Sequence, residues 1–274
     1  MGIKERGQNM NDGVISIRES DGSIVKLEPY TILPSTLELA REYAKKGYPD
    51  RYAVFAERQI KTKTTGWKDN ETEYENGVFL SLILRPSIFP SQASLMGAMS
   101  AVALVTALEE HTPKHLGIGW VSDLYCEGVK VGGVTVEGKL DSFTAYEYII
   151  VNFAVKTSDE TFPPRLTDMI KKVFESDNTS LSMIMAKDIL AKFFKFYSNM
   201  KNSSKFMSVY KDKFLFRGKR IKYDDGIKKQ KCRVLGIDLK TGALIAEMRG
   251  GVMKHVTTPM YISAPKRVRI NKKR

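Results

Sequence analysis

Along the chain the spacing of apolar residues switches repeatedly between two and three-to-four, which predicts strands and helices interleaved in one sequence. Residues 13–17 and 23–27 alternate on either side of Asp21-Gly22, the signature of a hairpin. From Leu33 the period lengthens. Pro34, Ser35 and Thr36 are start signals, apolar residues follow at helical spacing, and Gly47 closes the run, which predicts an amphipathic helix. Buried strands are expected at 52–59 and 79–86, and residues 93–108 form a nearly uncharged small-residue run that reads as a helix buried over most of its circumference. Residues 117–137 read as a second hairpin: a strand ending near Leu124-Tyr125, a turn at Glu127-Gly128, and a returning strand of alternating valines. A strand at 147–155 and helices at 166–174 and 180–197 complete this part. After a polar, serine-rich stretch at 199–208, short strands at 218–223, 230–238, 243–247 and 255–257 are separated by Asp225-Gly226, Thr241-Gly242 and Gly250-Gly251, the rhythm of a small barrel.

The expected fold class is therefore α+β, a mixed β-sheet flanked by helices with a small β-barrel at the C-terminus. Residues 1–207 make the larger domain, with 1–12 expected to be disordered; 208–263 make the small one, and 264–274 are a basic tail.

Composition narrows the class. A chain of 274 residues with 42% hydrophobic and 27% charged residues is that of an ordinary globular protein. The N-terminus is polar through Asp12 and no apolar run reaches the length of a membrane span, so a cytoplasmic location and no membrane partner are expected. The cysteines, Cys126 and Cys232, are far apart and lack metal-ligand spacing, so both are expected as reduced thiols. His111 and His115 flank Pro113, which breaks a regular helix; they are read as structural, and no metal site is expected. The net charge of +13 favours anionic partners. Six of those positive charges lie between Lys266 and Arg274, read as a solvated tail. Nothing there resembles a base-reading module, so nucleic acid is not the expected partner.

Two features of the 117–137 hairpin are chemical. Asp123 closes the incoming strand, and Lys130 lies just past the turn, before Gly132 and Gly133. A glycine pair lets a ligand approach the backbone, and a lysine beside it is a compact charge with three donors, suited to a phosphate or carboxylate. An exposed strand lysine is the alternative reading of the same residue. Trp120, Asp123, Lys130, Gly133 and Glu137 together resemble the biotin protein ligase pattern K-W-P-N-D-[IL]-x(n)-K-[LIV]-[AG]-G-[IL]-x-x-E, with Gly119, Val121 and Ser122 in place of the lysine, proline and asparagine. Ser35 and Thr36 resemble the family's S-T-N helix start, with Leu37 for the asparagine, and residues 56–59 match A-E-x-Q. Asn152 falls on the asparagine of the family's G-I-G-x-N strand, where Tyr148 and Ile150 replace the glycines. The arginine-rich loop of the family is replaced by residues 62–70, with Lys63 at the first arginine and Thr65 at the second. Residues 235–238 and 241–244 resemble the family's SH3-like C-terminal domain. No helix-turn-helix is read ahead of the main domain, so only the enzyme portion of the ligases that double as repressors is expected.

The resemblance covers roughly residues 30–263 and implies a biotin/lipoate ligase-like fold and a two-step reaction. Biotin and ATP, the latter as its Mg2+ complex, give biotinyl-adenylate, and the acyl group then passes to a lysine of a biotin carboxyl carrier protein. By resemblance, Lys130 neutralises developing charge and Asp123 bears on the ATP or magnesium side. Ser35, Thr36 and Gln59 hold biotin, Gly132 and Gly133 give backbone contacts, and Lys63 and Asn152 complete the site. A homodimer is compatible with this reading. The altered loop favours, as second reading, a protein that keeps the fold and binds biotin, a related acyl group or its adenylate; a lipoate ligase ranks third, since no R-R-x-x-G-G-G motif is present.

Overall fold

The computed structural model describes residues 13–60, 74–88, 90, 95–141, 145–157, 180–224, 229–257, 262, 263 and 268. The expected segments at 1–12, 62–70 and 166–174 lie outside them. In chain order the elements are β1 (Ile15–Arg18), β2 (Ile24–Leu33), α1 (Thr36–Lys45), β3 (Tyr52–Ile60), β4 (Tyr74–Leu84), α2 (Met96–Leu108), β5 (Leu116–Gly119), β6 (Asp123–Cys126), β7 (Val129–Leu140), β8 (Tyr146–Lys156), α3 (Leu181–Tyr197), α4 (Ser204–Lys213), β9 (Arg220–Asp224), β10 (Lys229–Ile237), β11 (Leu244–Glu247), β12 (Met253–Val256) and β13 (Ile262–Ser263).

Eight strands form one mixed sheet in the order β1-β2-β3-β4-β8-β7-β6-β5. Only β2 and β3 pair in parallel, because α1 carries the chain back to the end from which β2 began. Strand alternation sorts side chains onto two faces. Strand β4 sends Val78, Leu80, Leu82 and Leu84 into the larger core, which includes α2, α3 and α4, and Phe79 and Ile83 into a smaller core under α1. Each fully buried leucine contributes about 1.5–3 kcal/mol of transfer free energy. Helix α2 is buried on nearly every side, as its small uncharged residues predict.

Five short antiparallel strands form the second sheet, in the order β12-β11-β10-β9-β13, consistent with the SH3-like unit expected there. Its apolar face belongs to the larger core, and Trp120 Nε1 donates to the Gly242 carbonyl at 2.9 Å across the join.

Three expectations change. The stretch read as one strand ending near Leu124-Tyr125 is two antiparallel strands, β5 and β6, so Asp123 begins a strand rather than closing one. The polar stretch at 199–208 runs into α4, whose Phe206, Met207 and Tyr210 are buried at helical spacing, so the passage to the second sheet falls between α4 and β9. In the tail read as solvated, Val268 is buried and its N–H donates to the Gly128 carbonyl at 2.7 Å; the other tail residues lie outside those described.

Candidate active site

The site takes shape on the α1 face of the large sheet, beside two register shifts. In β3 the residues facing α1 are Tyr52, Val54 and Ala56, all even-numbered. Between Ala56 and Arg58 the register with β4 shifts by one residue, with Gly77 and Val78 of β4 opposite the single Glu57, and beyond this bulge Gln59 lies beside the start of α1. There its Oε1 accepts from the Thr36 N–H at 2.9 Å and lies 3.3 Å from the Thr36 hydroxyl. The second shift lies between β6 and β7. Asp123 pairs with Gly133 and Leu124 with Gly132, but Tyr125 pairs with Lys130, leaving Val131 as the extra residue. Lys130 thereby joins the face of Asp123, and its Nζ lies 2.7 Å from Asp123 Oδ1.

The Glu127-Gly128 turn has positive φ at both central residues (49° and 80°), the type I′ geometry whose twist matches that of the strands it joins. Glu127 is held further by accepting from the His115 N–H at 2.7 Å.

Ser81 joins the two halves. It is fully buried, and its hydroxyl lies 3.0 Å from Thr36 Oγ1 and 2.9 Å from Asn152 Oδ1. A hydroxyl carries one proton. If Ser81 donates to Asn152, the Thr36 hydroxyl donates to Ser81 and the Thr36 N–H alone holds the Gln59 carbonyl. The amide NH2 groups of Gln59 and Asn152 have no hydrogen-bond partner among the described residues and remain as donors. Register places Asp123, Gly133, Ala154, Phe79 and Ala56 in one row across the sheet. Asn152 and Ser81 stand in the next row. From β6 to β3 the face spans four interstrand steps, roughly 19 Å.

Helix α1 is fixed over this surface at both ends. Ser35 caps it, its Oγ accepting from the Glu38 N–H at 3.2 Å. Arg85 donates to the Ala44 carbonyl at the other end at 2.8 Å. Midway, Arg41 makes a two-pronged bond to Glu137 on β7, Nε and Nη2 each 2.6 Å from a carboxylate oxygen. That bond holds the Arg41 guanidinium even further above neutrality than an arginine ordinarily stands.

Of the expected residues, Ser35, Thr36, Gln59 and Asn152 fall in one region, bridged by Ser81, and Asp123 and Lys130 form a pair at the other end of the same face. Lys63 lies outside the described residues. Gly132 and Gly133 are explained by strand packing. A Cβ on Gly132 would stand 2.1 Å from the Ala154 carbonyl oxygen, and one on Gly133 would stand 2.7 Å from that of Ser122. The close approach these glycines permit is thus to neighbouring strands of the chain itself. Tyr148 and Ile150 pack in the core under α1. Burial pushes the thiols of Cys126 and Cys232 up, away from the thiolate a nucleophile needs. His111 is tied through Nε2 to Asp188 Oδ2 at 2.6 Å. Sequence reasoning missed Ser81, although a lone polar residue inside the apolar run of β4 was a legible signal, and it missed Arg41 as the partner of Glu137.

Comparison with known proteins bears on the fold that carries these residues. Residues 35–154 match the model of the Biotin/lipoate A/B protein ligase family. The bifunctional ligase/repressor BirA of Bacillus subtilis is 28% identical over 141 residues, 51% of this chain and 43% of its own length. That of Bacillus spizizenii is 24% identical over 151 residues, 55% of this chain and 46% of its own length. The chain thus spans less than half the length of these curated relatives. Among solved structures, the biotin protein ligase of Aquifex aeolicus in complex with biotin and ATP superposes with a TM-score of 0.59 at 22% identity, covering 86% of this chain and 97% of that one. A biotin protein ligase-like protein of unknown function from Silicibacter gives 0.57 at 13% identity, covering 88% and 97%. At these identities the structural likenesses establish the fold. Residues 35–154 are thus similar to the biotin/lipoate A/B protein ligase family, and the fold is that of the biotin protein ligases.

Proposed function

We propose that the protein is an ATP-dependent biotin protein ligase, which joins biotin to ATP and passes the acyl group to a lysine of a biotin carboxyl carrier protein. The observation that carries this reading is that the Gln59–Thr36–Ser81–Asn152 chain and the Lys130–Asp123 pair lie on one face of the large sheet. An amide-rich end suits the neutral polar groups and carboxylate of the acyl substrate, and a lysine at the other suits phosphate. In the first step a biotin carboxylate oxygen attacks the α-phosphorus and pyrophosphate leaves. In the second the amine of the carrier lysine attacks the acyl carbon, AMP leaves and the amine loses a proton. Both steps need alignment and neutralisation of negative charge. Lys130 would shift from Asp123 to the reacting oxygens, and Asp123 would then face the metal that accompanies ATP. One carboxylate suits a magnesium ion held mainly by phosphates. Lys63 keeps the role that the resemblance gives it, and the glycines at 132 and 133 set the strand geometry under the site.

Mass spectrometry of the purified protein with biotin, lipoate, ATP and magnesium tests the reading: biotinyl-adenylate is expected. Lys130→Ala should lower its rate of formation by about 10²–10³-fold, roughly 3–4 kcal/mol for one preorganised donor, with an unchanged melting temperature. Equal rates in the two proteins would remove Lys130 from the chemistry. The second reading, a protein that binds without reacting, is favoured by the ion pair that already occupies Lys130; tight biotin binding with no adenylate from either acid would establish it.

A further inference from the structure

The second sheet turns one face to the core and one to solvent. Ile221, Tyr223, Cys232 and Val234 are buried, and on the other side Arg220, Lys222, Lys231 and Arg233 are exposed. Register sets Arg220 directly opposite Arg233, and Lys222 directly opposite Lys231. Like charges at such positions repel, and folding alone favours opposite charges or neutral pairs there. Neighbouring cations along each strand are about 7 Å apart, within one Debye length at physiological salt. None of the four has an ion pair among the described residues. The nearest acids in these rows stand at the flanks: Glu247 on the far side of Arg233, and Asp224 opposite Lys229. The aromatic residue of β9, Tyr223, is on the buried side, and the ring this face does show among the described residues of its strands is the His255 imidazole at the β12 edge, which leaves little stacking area for bases.

We propose that this face docks the acidic surface of the protein domain that presents the acceptor lysine. The inference rests on the ligase reading above, and deepens it by giving the carrier a place to bind outside the chemistry. The Trp120–Gly242 bond fastens the sheet to the segment between β5 and β6, next to Asp123, so a carrier held here is held on the unit that bears Lys130. The cost of the opposed cations is offset when acidic side chains settle between them.

The test uses a variant with Arg220→Gln, Lys222→Gln, Lys231→Gln and Arg233→Gln, and as probe the unbiotinylated acceptor domain of a biotin-dependent carboxylase with net negative charge. The variant should melt at or above the wild-type temperature and form adenylate at the same rate. Its KM for the acceptor domain should rise about tenfold or more with kcat retained, and the wild-type KM should climb between about 50 and 300 mM salt while that of the variant barely moves. An unchanged KM in the folded variant overturns the proposal. Adenylate formation by the wild type, measured before the acceptor is added, judges the ligase reading separately. If that fails, direct titration with the acceptor domain still decides: weaker binding by the variant supports the face, and equal binding overturns it. A duplex DNA oligonucleotide serves as the other arm. Loss of DNA binding in the variant with unchanged acceptor binding overturns the protein partner in favour of nucleic acid.

Discussion

Glu19 sits in the tight turn between β1 and β2, almost fully buried, with no hydrogen-bond partner for Oε1 among the described residues. Burial raises its pKa above the ordinary 4.5, the Asp21 charge adds to this, and Arg51 opposes it. A carboxyl whose folded-state pKa lies above its unfolded one holds its proton better when folded, so stability is full below about pH 4.5 and falls as pH rises through the folded value. Glu19→Gln should therefore raise the melting temperature at pH 7, by about 2 °C (roughly 0.5–1 kcal/mol), and the gain should vanish near pH 4. An equal gain at both pH values would assign the effect to packing. Single residues were also where the sequence was hardest to read. Ser81 stands out as a polar residue in an apolar strand, but the partners that give it a part appear only when β4 lies between Thr36 and Asn152. Glu137 belonged to a recognised motif, but its partner Arg41 is far away in sequence and on another element.

At the scale of elements, local signals were legible. The Ser35 cap and Gly47 bounded α1, and Glu127-Gly128 named the turn, because each acts within a few residues. The register shifts at Gly77-Val78 and at Val131 were not legible, since a bulge is defined by the partner strand, although a strand glycine such as Gly77 is a residue type that can mark one. The division of 117–126 into β5 and β6 was hidden for a similar reason: Trp120, Val121 and Ser122 are strand-like residues at a turn. The Arg41–Glu137 bond ties α1 to β7, one strand beyond the β3, β4 and β8 on which the helix packs. Both side chains are about a third exposed, at 34% and 30%, so solvent weakens the pair. A double-mutant cycle with Arg41→Met and Glu137→Gln, read by denaturant unfolding, should give a coupling of about 1 kcal/mol. A coupling near zero would leave α1 held by its apolar face alone.

Over the whole molecule, the order of strands and helices was predictable from periodicity, whereas the contact between the two sheets and the return of Val268 to the hairpin turn were not. Long-range contacts of this kind leave no trace in a window of ten residues. Val268 yields a test of its own. Removing residues 265–274 should lower stability by about 1–3 kcal/mol, the worth of one buried valine and one hydrogen bond, while removing 272–274 should leave it unchanged. Equal stability in both truncations would make the anchor at Gly128 inconsequential.

The indole that bonds Gly242 is 3% exposed, and Trp67 is the other tryptophan of the chain. With Trp67→Phe, Trp120 becomes a single fluorophore seated at the joint between the two sheets, an optical gauge built into the protein. Its emission should shift to longer wavelength once the indole exchanges the Gly242 carbonyl for water. In a denaturant titration, a fluorescence transition ahead of the far-ultraviolet circular dichroism change would show the sheets parting while each keeps its strands; coincident transitions would show that they melt as one cooperative body.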